Sequence, residues 1–298
     1  MVVSFIVPMY DVAQYIEQCA RSLFSQTLES CEFIFVDDCS TDGSAELLME
    51  LVTHEFSHLQ NRITLVRHAS NQGVSETRNT ALTIAKGNFV IFIDGDDYVD
   101  PELAEELVIE QLLDNSDLVF SNYYNLANGE TKESRNPIIG GREGSLQLLA
   151  SQSFAFANRI WGVLIRRSLI MNNDLRFEPQ IVMGEDFLFL TQLLYHSQCI
   201  AHVGKPLYIY RTDNDSSATK SISLDKQNSY IEAVKRVEEF LTGCVDGDRY
   251  RVVIKLLRLN LRKWLALRRG EGLRPFTIYL RGLLVVVNAI WWLRCALR

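Results

Sequence analysis

Short hydrophobic runs alternate with longer amphipathic segments through the first hundred residues of the chain. Brief apolar runs between polar turns are typical of buried strands, whereas apolar positions three or four residues apart indicate a helix. The first such helix has Val12, Ile16, Cys19 and Leu23 at this spacing. The alternation predicts an α/β fold with a mostly parallel sheet and helices on both faces. The predicted strands cover residues 4–7, 32–36, 63–66, 88–93 and, further on, 117–122.

Acidic and amide side chains follow the ends of these strands. Asp38 follows the second strand, Asn71 the third, and Asp-Gly-Asp-Asp at 94–97 the fourth. Because open sheets of this type bind ligands beyond the carboxyl ends of their strands, these side chains are predicted to share one rim. Clustered carboxylates repel one another unless a cation compensates, and Mg²⁺ or Mn²⁺ suits oxygen ligands that it shares with phosphates. An acidic turn before a helix beginning at Pro101 is the alternative, and Asp11 is a predicted helix N-cap.

Several short segments in a fixed order resemble the family 2 glycosyltransferases. That family has the GT-A fold and transfers sugars from nucleotide donors with inversion of configuration. The resemblance covers roughly the first 215 residues, and the remainder carries no matching motif. The matching segments are residues 7–10, 25–27, 36–44, 71–75, 78–79, 94–97, 184–186 and 208–211.

The resemblance implies a site for a nucleotide sugar. Asp38 would accept a hydrogen bond from the donor base, most often uracil, although an Asx turn with Ser40 or Thr41 capping the next helix also explains this stretch. Asp94 would contact the ribose, and Asp96 would hold the Mn²⁺ or Mg²⁺ that bridges the two phosphates. The implied donor-binding residues are Pro8, Tyr10, Asp38, Arg78, Asp94, Gly95 and Asp96. Arg78 would lie near the diphosphate or hold the acidic side chains, with a surface salt bridge as the alternative.

The resemblance also implies catalytic and acceptor-binding residues. Asp186 would act as the general base that takes the proton of the acceptor hydroxyl, although acids at a helix N-terminus are also favoured by the helix dipole. Trp161 and Glu185 would contact the acceptor, and burial in the core is the alternative for Trp161. Residues 125–141 read as a polar loop suited to acceptor choice.

The length of 298 residues and the hydrophobic content of 47% suit one α/β domain with an appendage. The predicted catalytic domain covers residues 1–220, with a nucleotide-sugar-binding half at 1–115 and an acceptor-binding half at 116–220. Residues 221–298 form a predicted helical C-terminal extension. The chain begins with a strand pattern and lacks the charged and apolar stretches of a signal peptide, which predicts a cytoplasmic protein.

The net charge of −7 conceals an uneven distribution. From Arg249 onward there are 12 basic residues and one acid, and residues 251–265 read as a basic amphipathic helix. The apolar stretch at 282–293 is shorter than the roughly 20 residues that span a bilayer. It is predicted to lie in the interface on the cytoplasmic face of the membrane, with Trp291 and Trp292 at headgroup depth. Docking on the catalytic domain or on a second copy, giving a homo-oligomer, is the alternative.

Together these features predict an inverting, metal-dependent glycosyltransferase that uses a UDP-sugar. Its acceptor would be a saccharide or a lipid-linked saccharide in surface polysaccharide or lipopolysaccharide synthesis. A catalytically silent, sugar-nucleotide-binding scaffold protein at the membrane is the alternative from another class. A nucleotidyltransferase would need a glycine-rich basic loop, which residues 8–12 do not provide. No nucleic-acid partner is predicted, because the basic tail resembles no base-reading module.

Overall fold

Four predicted strands of the first hundred residues form one parallel array. They are β1 (Val3–Met9), β2 (Cys31–Asp37), β3 (Ile63–Arg67) and β4 (Phe89–Phe92), and they lie side by side in the order β3-β2-β1-β4. The connecting helices are α1 (Ile16–Phe24), α2 (Ser44–His54) and α3 (Val74–Ile84). These positions come from a computed structural model that describes residues 2–135, 146, 159–214, 222–245 and 247–268.

The second half of the sheet is mixed. It contains β5 (Tyr98–Val99), β6 (Leu118–Ala127), β7 (Glu130–Ser134), β8 (Leu164–Arg166) and β9 (Ile200–Arg211). The order β3-β2-β1-β4-β8-β6-β9-β5 completes the sheet, with β7 beside β6. β6 runs parallel to β9, whereas β8 is antiparallel to both β4 and β6. The α/β prediction is therefore confirmed, with the parallel pairing concentrated in the first half.

One part of the predicted acceptor loop is a β-hairpin. β6 and β7 pair in antiparallel register from Tyr123 opposite Ser134 to Ala127 opposite Glu130. The turn between them is Asn128-Gly129, with φ of 51° and 79°, and Asn-Gly is the preferred sequence for a two-residue turn that needs positive φ at both positions. The prediction of a loop is thus wrong for 125–134, and 136–141 lie outside the described residues.

Helices cover both faces of the sheet, so β1 is buried along almost its whole length. Side chains alternate across a strand, and Phe5 packs with α1 and α2 on one face while Ile6 packs with α3 on the other. The first face also carries α4 (Leu103–Asp114), and the second carries α5 (Arg167–Asn172) and α6 (Glu185–His196). This double cover explains the nearly continuous apolar runs of the strands.

Two long helices follow the sheet, α7 (Leu224–Gly243) and α8 (Arg251–Arg268). Buried side chains of both helices, such as Val237 and Leu257, join the core cluster formed by α3 and α6. The division at residue 220 stays a prediction. Residues 275–298, with the tryptophan pair, lie outside the described residues. Within the described ranges we find no helix whose length and hydropathy would let it span a bilayer.

Candidate active site

A cleft of about 510 Å³ opens at the carboxyl ends of β1, β2 and β4. Its walls come from the loops after these strands, from the N-terminal parts of α3 and α6, and from the end of β9. Every residue predicted to act in the site lines this cleft. The strand-end argument placed Asp38, Asp94 and Asp96 there, and the family resemblance placed the others. The residues so predicted are Pro8, Tyr10, Asp38, Arg78, Asp94, Gly95, Asp96, Trp161, Glu185 and Asp186. Their individual roles stay predictions.

Arg78 joins the acidic residues of two distant segments. Its Nη2 donates to Asp94 Oδ1 at 3.1 Å, and its Nη1 donates to Asp186 Oδ1 at 2.6 Å and to Glu185 Oε1 at 3.3 Å. The side chain of Arg78 is only 3% exposed, and its guanidinium lies over the ring of Phe177 at 5.2 Å. Charges this deeply buried are tolerated when they are paired. Arg78 therefore holds the acidic residues together, which is one of the two predictions made for it.

The same burial raises the pKa values of Asp94 and Asp186 in this cluster. Burial raises the pKa of Asp186 to about 7, with Arg78 opposing the rise and Glu185 adding to it. Burial likewise raises the pKa of Asp94 to about 6, again against the effect of Arg78. Desolvation opposes the charge of Arg78, but its three acidic neighbours outweigh that cost and raise its pKa above the usual value. A carboxyl group with a pKa near 7 has the basicity that suits proton transfer at neutral pH.

The loop that carries Asp94 and Asp96 is held by the end of β9. Asp97 is buried, accepts a hydrogen bond from the Tyr208 hydroxyl at 2.6 Å and another from the Arg211 backbone N–H at 2.7 Å. The Tyr208 hydroxyl in turn accepts from the Asp94 backbone N–H at 3.2 Å. Asp97 is thus committed to shaping the loop. Burial and the neighbouring acids raise its pKa well above the usual range.

Asp96 is the acid of this loop best placed to hold a cation. Its Oδ2 accepts from the Asn214 side-chain amide at 2.7 Å, and among the described residues no Lys, Arg or His side chain forms an ion pair with it. In the described part of the chain no three acidic, His or Cys side chains cluster as a ready-made metal site. A single carboxylate fits a cation such as Mg²⁺, which keeps several waters and takes its other ligands from substrate phosphates.

The loops after β1 and β2 are hydrogen-bonded to each other, and two capping predictions are wrong. Asp11 does not cap α1, because its Oδ1 accepts from the Thr41 N–H at 2.8 Å and its φ is 48°. Ser40 and Thr41 do not cap α2, whose N-cap is Gly43; the Ser40 hydroxyl accepts from the Asp11 N–H instead. Local sequence favours these polar residues at helix ends, but here each one bonds a loop about 30 residues away.

Comparison with known proteins decides the family. The sequence model described as Glycosyl transferase family 2 matches residues 4–169, which is more than half of the chain. The chain belongs to glycosyltransferase family 2. EpsJ of Bacillus subtilis (strain 168), described as an uncharacterized glycosyltransferase, is 31% identical over 223 residues, which are 73% of this chain and 63% of that protein. The chain thus spans less than two thirds of that relative's length.

Two solved structures share the fold of this family 2 chain. S. aureus TarS 1-349 in complex with UDP-GlcNAc superimposes with a TM-score of 0.72 and 20% identity, covering 86% of this chain and 72% of that one. The mannosyltransferase PcManGT from Pyrobaculum calidifontis, solved with GDP-Man and Mn²⁺, gives a TM-score of 0.59 and 18% identity, covering 97% and 79% of the two chains. The predicted GT-A fold is confirmed.

Trp161 stacks on two tyrosines in the wall of the cleft. Its ring stacks on Tyr208 at 4.2 Å and on Tyr210 at 5.2 Å between centroids, and Tyr123 meets it edge-on at 5.2 Å. Trp161 is 6% exposed yet lines the cleft. Trp161 is therefore a core residue that also lines the cleft, and its contact with the acceptor stays a prediction.

The sequence did not predict the α7 residues that hold the turn before Asp186. The Ser229 hydroxyl of α7 accepts from the backbone N–H groups of Val182 and Met183 at 2.9 and 3.1 Å. Gly184 has a φ of 91°, and a Cβ there would come within 2.8 Å of Ala233 of α7. The turn before Asp186 thus needs glycine and is fixed by α7. No local pattern in α7 signals this role.

Proposed function

We propose that this family 2 member is an inverting glycosyltransferase. It moves a sugar from a nucleoside diphosphate sugar, with UDP as the carrier, to a hydroxyl of a saccharide or lipid-linked saccharide during surface polysaccharide or lipopolysaccharide synthesis. The observation that carries the proposal is the Arg78 cluster. In this cluster Asp94, on the proposed donor loop, and Asp186, at the start of α6, both bind the buried guanidinium of Arg78 in the same cleft.

The reaction needs a base on one side of the anomeric carbon and a stabilised leaving group on the other. Asp186 takes the proton from the acceptor hydroxyl as its oxygen bonds to the anomeric carbon, and the bond from that carbon to the diphosphate oxygen breaks with inversion. With a pKa of about 7, Asp186 is substantially ionised at neutral pH and still basic enough to accept the proton. Arg78 keeps its carboxylate oriented through the 2.6 Å contact.

The donor end of the cleft has the groups that such a substrate requires. Asp38, Pro8 and Tyr10 line the part of the cleft where the base would bind, and Asp94 shares Arg78 with Asp186. Asp96 would hold a divalent cation together with the phosphates. When bound, such a cation supplies Lewis-acid stabilisation for the charge that develops on the leaving diphosphate. The ties between Asp97, Tyr208 and Arg211 keep this loop in place before the donor arrives.

Related proteins support the choice of substrates. TarS, solved with UDP-GlcNAc, is named a poly(ribitol-phosphate) beta-N-acetylglucosaminyltransferase. PcManGT was solved with Mn²⁺, which supports a divalent cofactor here. The structural superpositions give 20% and 18% identity with this chain, so these proteins motivate the donor class and the metal, and the experiment below tests them.

We also propose that the protein works at the cytoplasmic membrane surface. The apolar face of α8, including Leu256 and Leu257, is covered by the protein itself, while Lys255 and Arg262 point outward on a helix with six basic residues and no acid. Such a face attracts anionic headgroups electrostatically. Removal of residues 275–298 is expected to weaken binding to anionic vesicles. Added salt is expected to abolish the binding that is left. Unchanged binding after this removal would contradict the role given to that segment.

Release of nucleoside diphosphate tests the enzymatic proposal. The protein is incubated with UDP-, GDP- and TDP-sugars, with and without Mn²⁺, and with a membrane extract as the source of acceptor. We expect metal-dependent release from a UDP-sugar, lost in Asp186→Asn while calorimetry shows that nucleotide binding survives. Asp114→Asn, the same chemical change at an exposed position of α4, is the matched control.

The possible failures separate the alternatives. Nucleotide binding without turnover, in the presence of extract and Mn²⁺, would support the scaffold protein instead. Absence of nucleotide binding would contradict both. Full activity in Asp186→Asn would be consistent with a transferase but would contradict the role of Asp186 as the general base.

A further inference from the structure

Most of the hydrogen-bond acceptor positions of the Asp38 carboxylate are already filled by donors from the protein itself. Its Oδ2 accepts from the Gly73 N–H at 2.7 Å, and its Oδ1 accepts from the Gln72 N–H at 2.9 Å and is 2.7 Å from His68 Nδ1. A carboxylate offers about four acceptor positions. Three are therefore occupied, and one is left for the cleft that Asp38 lines.

His68 joins three elements around this carboxylate. It follows β3, and its backbone N–H donates to the Asp37 carbonyl at 2.9 Å. Its ring lies between Asp38 and Thr80 of α3, with Nε2 at 3.0 Å from the Thr80 hydroxyl. The side chains of His68 and Asp38 are 7% and 4% exposed. Because an ionised carboxylate can only accept, His68 Nδ1 carries a hydrogen in either charge state, and the Thr80 hydroxyl can donate or accept to suit Nε2.

We propose that His68 is a positioning residue that sets the base preference of this site. His68 fills one hydrogen-bond acceptor position of Asp38 Oδ1, so the carboxylate can accept only one hydrogen bond from an incoming base. That arrangement matches a base whose edge presents one N–H between two carbonyls, which describes uracil and thymine. The inference rests on the proposed function and deepens it by naming the structural cause of the base preference.

Other bases match a carboxylate with one free acceptor position less well. Guanine presents adjacent N1–H and N2–H donors, which a carboxylate satisfies only when both oxygens are available. Cytosine and adenine present a ring nitrogen acceptor at the corresponding position, which would face the carboxylate without a hydrogen between them. A buried polar group left unpaired costs more than a missing contact. The site should therefore rank UDP and TDP above GDP, and GDP above CDP and ADP.

A pair of substitutions separates the role of Nδ1 from that of Nε2. Asparagine places its amide nitrogen where His68 has Nδ1, so His68→Asn keeps the donor to Asp38 and loses the contact with Thr80. Glutamine places its amide nitrogen near Nε2, so His68→Gln keeps that contact and loses the donor. Thr80→Val is the matched control, since it removes only the distal hydroxyl. Calorimetry with UDP, TDP, GDP and CDP in excess Mn²⁺ gives the affinities, and the melting temperature of each variant reports folding.

We expect wild type to bind UDP at least tenfold more tightly than GDP. His68→Gln should weaken UDP binding about tenfold, because the Asp38 carboxylate is then no longer held in position before the base arrives, and should narrow the UDP-to-GDP ratio because Oδ1 regains a free position. His68→Asn and Thr80→Val should stay within about threefold of wild type for UDP and keep the ratio.

Three results would overturn the inference while the proposed function stands. One is a wild type that binds GDP as well as UDP. Another is an unchanged UDP-to-GDP ratio in His68→Gln. The third is an equal loss for every nucleotide in both His68 variants with lowered melting temperatures, which would make the histidine merely structural. A wild type that binds none of the nucleotides would overturn the inference together with the proposed function.

Discussion

The buried position of Asp186 predicts the pH dependence of transfer. Asp186 must be ionised to accept the hydroxyl proton, and burial raises its pKa to about 7. About a tenth of Asp186 is then ionised at pH 6 and about nine tenths at pH 8, so kcat/KM is expected to rise about tenfold over this interval. An unperturbed aspartate, with a pKa near 4, would give no such rise.

Two substitutions connect this rise to the cluster. Asp186→Asn should remove the acid limb and lower kcat by about 10²- to 10⁴-fold, the usual contribution of a general base. Glu185→Gln removes a negative charge that raises the pKa of Asp186, so it should move the limb to lower pH. The assay is the initial rate of nucleoside diphosphate release at pH 5.5–9 under subsaturating donor and acceptor, with melting temperatures measured at each pH.

The reasoning fails if Asp186→Asn keeps the acid limb, because another group would then control the rate. It also fails if Glu185→Gln moves the limb to higher pH, because the electrostatic cause given for the raised pKa would have the wrong sign. A wild-type profile that is flat between pH 6 and pH 8 would show that Asp186 is ionised throughout, as a solvated carboxylate would be.

Three further outcomes follow from the same contacts. The raised pKa of Asp186 destabilises the folded state as pH climbs from about 4 to about 7, because the unfolded chain loses this proton first; Asp186→Asn should therefore gain about 3 kcal/mol relative to wild type between pH 5 and pH 8 in urea titrations. Arg78→Lys keeps the charge but loses the planar fork that contacts Asp94 and Asp186 together, so kcat should fall about 100-fold or more, and a fall below threefold would contradict the role of the fork. Tyr208→Phe leaves Asp97 without its 2.6 Å donor, which should cost about 1–3 kcal/mol in urea unfolding; a stability equal to wild type would mean that water replaces the hydroxyl.

The first half of the molecule could be predicted from sequence because local rules act there together. Apolar runs bounded by polar turns predicted β1 to β4 to within two residues at each end, and the parallel order then placed Asp38 and Asp94 on one rim. The hairpin at 125–134 was missed because its strand side chains are largely polar and its Asn-Gly turn also suits a loop. The N-cap assigned to Asp11 was wrong because a bond to Thr41 competes with the local one.

Contacts between segments far apart in sequence escaped prediction for a different reason. Tyr208 reaches Asp97 across 111 residues, and this depends on the pairing of β9 with β5, which no local pattern specifies. His68 reaches Asp38 through the adjacency of β3 and β2, so the sheet order explains the contact only after it is known. The family motifs mark the residues that are proposed to meet the donor, whereas partners such as Tyr208 and His68 depend on strand register.

The extent of the family match divides the site in a way that bears on specificity. The match to family 2 ends at residue 169, whereas Asp186 follows it and its turn is fixed by Ser229 and Ala233 of α7. The proposed donor loops therefore lie within the family match, while the turn before the proposed base is held by a helix beyond it. Lys226, on the first turn of the same helix, also lines the cleft. We therefore expect substitutions in α7 to alter acceptor use more than donor binding, because they can reshape the wall around Asp186 and leave the proposed donor loops intact.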